Sequence, residues 1–323
     1  MVAPLLIQTL ADGCFHSGES LAGRIGISRT AIWKQIQSME CAWGLKVFAV
    51  RGKGYKLAQP LDLLDEAVIL HQIPAEIQRR IRALEIHASI DSTNRHLMGN
   101  LSGAATGLQV CLAEQQTQGQ GRRGRNWFSP FAANIYLSLS WRSSRPPHQL
   151  GGLSLALGVV VAETLRELGF EGVGLKWPND LVHEAGKLGG ILIQMAGENE
   201  GPSSLVAGLG LNVRMPAGAG QNIGQPWVDL SALGRPPARS LLAGLLIKAL
   251  VNGLTQYETL GLEPFLARWK RLDHFLGREV ALLRGDERIQ GRCAGIAGDG
   301  SLLLHTGRGL ERFHGGEISL RGC

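Results

Sequence analysis

Gly119-Gln120-Gly121-Arg122-Arg123-Gly124-Arg125-Asn126-Trp127 packs three glycines and three arginines into nine residues, with no acid among them. Apolar segments at 108–113 and 135–141 flank it, but it has almost nothing of its own to bury, so it cannot be core. Its glycines can turn backbone N–H groups toward an anion, and its arginines are forked, permanently charged donors. Gly/Arg-rich loops are as often solvated surface or general nucleic-acid glue. Trp127, followed by Phe128-Ser129-Pro130, gives this one an apolar wall and favours a cationic clasp for phosphate or carboxylate.

The 323 residues suffice for two or three domains and at least one large core. Hydrophobic content of 44% and charged content of 19% belong to a globular chain, not a disordered one. No apolar run approaches the roughly 20 residues that span a bilayer, and residues 1–10 lack the pattern of a secretory signal. No membrane association and a cytoplasmic location are therefore expected. The five cysteines (Cys14, Cys41, Cys111, Cys293, Cys323) are odd in number and lack CxxC spacing. That points to reduced thiols and away from a disulfide frame or a zinc site, and no metal ligands are assigned. Of the net charge of +6, most sits in residues 1–60, where seven Lys/Arg face three acids. A basic segment on a near-neutral body implies a polyanion partner for that segment alone.

Residues 5–11 carry apolar side chains at helical spacing and stop at Asp12-Gly13. Caps at 17–20 precede a short helix at 21–25, which Gly26 ends. Ser28 caps a third helix with Ala31, Ile32, Ile36 and Met39 on its apolar face and Arg29, Thr30, Trp33, Lys34 and Gln37 opposite. This spacing reads as helix-turn-helix. Residues 46–50 and 55–57 flank Arg51-Gly52-Lys53-Gly54, a hairpin with a cationic tip that completes a winged helix. Ser28, Arg29, Thr30, Trp33 and Lys34 are candidates for the DNA groove, Arg51 and Lys53 for phosphate. The bland alternative is a three-helix unit that contacts only protein.

After a linker at 58–64, Asp65 caps a helix at 66–71. Strands at 84–90, 108–113, 135–141, 173–177, 188–194 and 205–213 then interleave irregularly with helices at 95–98, 151–168, 239–260 and 262–272. The order predicts a mixed sheet with helices on one face. From 274 onward, short strands at 279–283, 288–294, 302–305 and 308–313, separated by Gly-rich turns, predict a small barrel. The fold class is α+β in three units, 1–60, 65–272 and 274–323.

Four further stretches of the middle unit carry candidate chemistry. Asp91-Ser92-Thr93-Asn94 is a good helix cap, but its hydroxyls and amide can equally bind a polar ligand. Gln115-Gln116 ends a strand beside the clasp and can both donate and accept. Lys176-Trp177-Pro178-Asn179-Asp180 is followed by Gly186-Lys187-Leu188-Gly189-Gly190, where a lysine among glycines can set a point charge on phosphate or carboxylate. Gly208-Leu209-Gly210-Leu211-Asn212 pairs glycines with a terminal amide. Each alone is more often structural than functional.

Together, and closed by Gly315-Gly316-Glu317-Ile318-Ser319-Leu320-Arg321, the ordered set resembles the biotin–protein ligases over nearly all of residues 84–321. Phe15-His16-Ser17-Gly18-Glu19 and Gly52-Lys53-Gly54-Tyr55 resemble the bifunctional members, which also repress the biotin operon. The resemblance implies a class II synthetase-like central sheet and an SH3-like barrel at the C-terminus. It implies two steps: the biotin carboxylate attacks the α-phosphorus of ATP, and a lysine of a biotin carboxyl carrier protein then takes the biotinyl group. Ser92, Thr93, Asn94 and Gln116 would hold the ureido head or frame its pocket, Arg122 and Lys187 bridge carboxylate and α-phosphate, Gln120 and Gly121 close over the ligand by backbone contacts, and Trp127 wall the pocket. Lys176, Asn179, Asn212 and Trp227 are the nucleotide candidates, with Mg²⁺ accompanying the triphosphate. For Asp180, three roles stay open: orienting Lys187, helping to hold Mg²⁺, or assisting the incoming amine. A dimer formed with biotinyl-AMP bound would present two winged helices to operator DNA.

One departure stands out. Gln120 occupies a position where many relatives carry a basic residue, so the clasp has one less charge to close over an anion. Lipoate–protein ligase is the nearest enzymatic rival, and a transcription factor with a ligand-sensing middle unit is the rival of another class. A P-loop NTPase is disfavoured because no GxxxxGK[ST] occurs.

Overall fold

The computed structural model describes residues 4–101, 107–196, 201–284, 287–314 and 318–322; of the closing motif at 315–321, residues 315–317 lie outside these. Helices α1 (Pro4–Leu10), α2 (Gly18–Ile25) and α3 (Arg29–Trp43) open the chain. Ser17 accepts from the Ser20 amide and Ser28 from the Ala31 amide, while Gly26 and Gly44 end the helices with left-handed backbone. The second helix begins at Gly18 rather than 21, because Ser17 takes the cap. Ile32, Ile36 and Met39 are buried with Leu6, Leu10, Leu21 and Leu57. Strand β1 (Val47–Val50) pairs antiparallel with β2 (Gly54–Leu57). Tyr55 bridges to His16, pinning the hairpin to the helices. That contact needs Gly54, at φ 99°, since a Cβ there would stand 1.9 Å from the His16 carbonyl oxygen.

Next come α4 (Glu66–His71), α5 (Ala75–Gln78), β3 (Ile81–His87), α6 (Thr93–Gly99), β4 (Leu108–Ala113), β5 (Ile135–Ser143) and α7 (Leu153–Glu167). Strands β6 (Gly174–Lys176), β7 (Asp180–His183), β8 (Gly186–Ala196) and β9 (Ser203–Leu211) complete the sheet, followed by helices α8 (Leu230–Leu233), α9 (Arg239–Leu260) and α10 (Glu263–Leu272). The seven strands lie in the order β3-β4-β5-β9-β8-β7-β6, with β3 and β4 parallel and the others antiparallel, a mixed sheet as expected. Strand pleating assigns alternate residues to opposite faces. Val110, Leu112, Leu137, Leu139 and Leu209 pack in one core with α7 and α9, whereas Cys111 and Val206 form a separate cluster with Leu97 of α6. The long helices thus share one face, and the short α6 lies across the other. That second face carries the site.

Residues 147–167 are long and apolar enough to cross a membrane, contrary to the reading that no run approaches that length. Most of α7 is buried against the sheet and the neighbouring helices, which explains its apolar composition as a core helix.

The C-terminal strands are β10 (Glu279–Arg284), β11 (Glu287–Ile296), β12 (Leu302–Thr306), β13 (Gly309–Phe313) and β14 (Ile318–Gly322). They form an antiparallel sheet in the order β13-β12-β11-β10-β14. Among the described residues no pairing joins β13 to β14, so the closure that the expected barrel needs is not among the pairings. The sequence reading had no strand at 318–322 or at 180–183.

Contacts between the units include two through aromatic rings and one through a buried ion pair. The Trp43 ring, at the end of α3, stacks on Phe131 with centroids 4.2 Å apart. Arg239, 1% exposed, pairs with Glu114 at 2.6 Å and donates to the carbonyls of Asp62 and Asn134, which anchors the linker. The Trp177 indole N–H donates to the Gly300 carbonyl at 3.0 Å.

Candidate active site

A pocket on the α6 face is lined by residues of all five sequence motifs, among them Ser92, Thr93, Asn94, Gln116, Gln120, Gly121, Arg122, Trp127, Lys176, Asn179, Asp180 and Lys187. One end is neutral. Ser92 caps α6 by accepting from the Arg95 amide, so its hydroxyl is already engaged there. The next two residues face the sheet: the Ser138 hydroxyl lies 2.7 Å from Thr93 Oγ1 and 2.6 Å from Asn94 Oδ1. Gln116 Oε1 accepts from both the Thr93 amide and its hydroxyl, and Gln116 Nε2 donates to Ser129. Asn94 Nδ2 donates to Gln194 Oε1 at 2.9 Å. These bonds fix the orientation of each amide before a ligand arrives.

The sheet is thin here for a reason. A Cβ at Gly208 would stand 2.0 Å from Asn94 Oδ1, and one at Gly210 would stand 2.6 Å from the Trp127 ring. The paired glycines let α6 and the indole lie directly on the backbone of β9.

The other end is cationic. Asp180 Oδ1 lies 2.8 Å from Lys187 Nζ and Asp180 Oδ2 lies 3.2 Å from Lys176 Nζ. Burial works to raise the Asp180 pKa, but the two ammonium groups prevail and hold the carboxyl below its ordinary range. Lys187 Nζ also sits 5.4 Å from the centre of the Trp127 ring. Arg122 donates to Asn179 Oδ1 at 3.3 Å, and Asn179 in turn donates to the Ile191 carbonyl. The clasp folds back on itself: Gly121 N–H reaches the Arg125 carbonyl at 2.7 Å and Trp127 N–H the Gly119 carbonyl at 2.8 Å. Arg123 takes left-handed backbone, φ 60°, at its tip. Counting Arg123 and Arg125, five cations and one carboxylate line the pocket.

Asn212 and Trp227 fall outside the pocket lining. Asn212 is buried and its amide donates to the Val228 carbonyl at 3.1 Å, so it positions the segment beside Lys187 instead of walling the pocket. Trp227 bridges to Lys187 through the backbone and its indole covers Gly220. The sequence reading missed Ser138, Ser129 and Gln225. Serine alternating with leucine in Tyr136-Leu137-Ser138-Leu139-Ser140 was the available signal for the first.

In the winged helix, Ser28, Arg29, Thr30, Trp33, Lys34, Arg51 and Lys53 are all exposed. Trp33 is 51% exposed despite its size. Lys53 and Lys56 lie 5.8 and 5.7 Å from the centre of the Phe15 ring.

Residues 86–212 match the model of the Biotin/lipoate A/B protein ligase family, residues 275–321 that of the Biotin protein ligase C terminal domain, and residues 5–56 that of an HTH domain. The Bifunctional ligase/repressor BirA of Salmonella typhimurium is 45% identical over 318 residues, spanning 98% of this chain and 97% of the relative. The chain belongs to the bifunctional biotin ligase/repressor family. A second member of this family, BirA of Escherichia coli, is 43% identical over the same extent. Among solved structures, the biotin protein ligase from Aquifex aeolicus in complex with biotin and ATP superposes with a TM-score of 0.63 at 28% identity, over 75% of this chain and all of the other.

Proposed function

We infer that this chain is an ATP-dependent biotin–protein ligase and a DNA-binding repressor of biotin biosynthesis genes. The observation that carries the ligase reading is the division of the pocket. Pre-oriented amides and hydroxyls (Thr93, Asn94, Gln116) suit the ureido head of biotin, and Arg122, Lys176 and Lys187 suit a carboxylate meeting a triphosphate. Two anions repel, so the site must neutralise them and hold them in line. A biotin carboxylate oxygen attacks the α-phosphorus, pyrophosphate leaves, and biotinyl-5′-AMP remains. The amine of an acceptor lysine then attacks the acyl carbon, and AMP leaves. Arg122 and Lys187 balance the charge of both steps. Asp180 orients Lys187, with which it is already paired. Ser92, Gln120, Gly121 and Trp127 frame the biotin, and Asn179 and Trp227 take part in holding the nucleotide, the indole by stacking.

Mg²⁺ arrives with the nucleotide in this reading. The lining offers one carboxylate, Asp180, which two lysines already neutralise. The triphosphate therefore supplies the metal's ligands, and the cation neutralises its charge. The acceptor is a biotin carboxyl carrier protein. In the repressor state two copies, each holding the adenylate, pair and set two winged helices on a palindromic operator. The exposed Arg29, Thr30, Trp33 and Lys34 enter the groove, Ser28 caps the reading helix, and Arg51 and Lys53 meet phosphate. The three units 1–60, 65–272 and 274–323 divide this labour in the cytoplasm. The central sheet is of the class II synthetase kind, and the C-terminal strands belong to a small SH3-like barrel, supported by their meander and Gly-rich turns.

Incubation with ATP, Mg²⁺ and labelled biotin tests the ligase reading. Both biotinyl-AMP and a labelled carrier domain are expected. Exchange supported by lipoate in place of biotin would assign the chain to the lipoate branch, and labelling of neither would leave only a sensor.

A further inference from the structure

Away from the pocket, the α6 face of the sheet gathers four metal-ligating side chains from three elements. Glu85 and His87 lie two residues apart on β3 and so share a face, and Cys111 on β4 is the register partner of Glu85 in the parallel ladder. From α6, His96 completes the group. The ligand atoms of His87, His96 and Cys111 lie within 4.8 Å of one another. Glu85 Oε2 stands 3.1 Å from His87 Nε2 and 2.9 Å from His96 Nε2, and the two rings meet edge to face at 4.9 Å. Asn100 Nδ2 is a further neighbour, 3.3 Å from His96 Nε2. Cys111 is fully buried and both histidines are half-buried.

We propose that Cys111, His87, His96 and Glu85 form a binding site for a divalent transition metal of zinc-like character, separate from the adenylation pocket. The donor set is one thiolate, two imidazoles and one carboxylate, a combination of borderline softness that zinc accepts and magnesium does not. A tetrahedral zinc ion with bonds of about 2.0–2.3 Å holds its ligand atoms roughly 3.5 Å apart. The two Nε2–Oε2 separations, 3.1 and 2.9 Å, open slightly, and the imidazole and thiol atoms, within 4.8 Å of one another, draw in. On binding, the Cys111 S–H bond breaks, its proton passes to solvent, and a metal–sulfur bond forms. The ion ties α6 to β3 and β4, one turn beyond the Thr93 and Asn94 that line the pocket. CxxC spacing could not reveal such a site, because its ligands are spread over 27 positions and meet only in the fold.

The test uses the full-length protein, stripped with chelator, held reduced by a non-thiol reductant and titrated with Co²⁺ as a spectroscopic probe. One Co²⁺ per chain is expected, with a thiolate-to-metal charge-transfer band in the near ultraviolet that Zn²⁺ displaces and Mg²⁺ does not. The His87→Gln/His96→Gln double variant changes only half-buried side chains, and its fold is checked by circular dichroism. It should lose the band and bind Co²⁺ roughly tenfold more weakly or worse, while biotinyl-AMP formation without added transition metal is retained. Absence of the band would overturn the proposal, and so would a band unchanged in the folded double variant, which would place the metal on another cysteine.

Discussion

Lys187 and Asp180 form a nearly buried ion pair, Nζ to Oδ1 at 2.8 Å, on adjoining strands of the central sheet. The lysine Nζ lies 5.4 Å from the centre of the Trp127 ring, in the pocket that the clasp also lines. If Lys187 bridges carboxylate and phosphate, truncation removes charge that matters most in the transition state. Lys187→Ala should lose at least tenfold in biotinyl-AMP formation, about 1.4 kcal/mol of transition-state stabilisation. Single-turnover kinetics with saturating biotin and ATP check this.

The pair also has a pH signature. The Asp180 pKa is lowered on folding, so its ionised form adds stability above the ordinary value of 3.8, and that contribution falls away as pH drops through the lower folded value. The stability gap between wild type and Asp180→Asn should therefore be flat in the neutral range and shrink in acid below the ordinary value. Denaturant midpoints measured across that range supply the curve. A gap that grows in acid would mean that the lysines do not govern this carboxyl.

Gly208 gives a steric test of the neutral end. Its Cβ would meet Asn94 Oδ1 at 2.0 Å, so Gly208→Ala must push the amide aside. Biotin affinity should fall by roughly tenfold or more, the penalty for one displaced hydrogen-bonding group, with ATP affinity less affected. Calorimetric titration of each ligand separates the two.

Arg239 is a test of architecture rather than chemistry. Its removal leaves Glu114 buried without its charge partner and takes the guanidinium bond from the Asp62 carbonyl in the linker. Arg239→Ala should destabilise the protein by about 3–5 kcal/mol, seen as a lowered denaturant midpoint.

On the winged helix, Arg51→Ala and Lys53→Ala should each weaken DNA binding. With each side chain on one phosphate, each variant should flatten the salt dependence by about one unit of slope. Fluorescence titrations of a duplex at several salt concentrations measure it. An unchanged slope in both would move the DNA surface elsewhere.

How much of this was legible in the sequence depends on range. Helix caps at Ser17 and Ser28 and the Gly52 turn act over a few residues, so the winged helix could be read directly. The α9 span followed from its apolar length. The clasp signalled a site because its composition makes no sense as core, and the Lys176–Asp180 stretch did so only together with the other motifs. What stayed hidden depends on tertiary placement. Ser138 gains its role from α6 lying above it, and Asn212 loses its place in the pocket wall because Val228 claims its amide. The hydropathy of α7 reported burial and said nothing of what it is buried against.

Everything rests on two negatively charged substrates meeting between Arg122 and Lys187. A crystal soaked with biotin and a non-hydrolysable ATP analogue tests that most directly. Density for the biotin carboxylate and the α-phosphate within hydrogen-bonding reach of both side chains is the predicted result. Ligands seated away from residues 119–127 and 187 would contradict it.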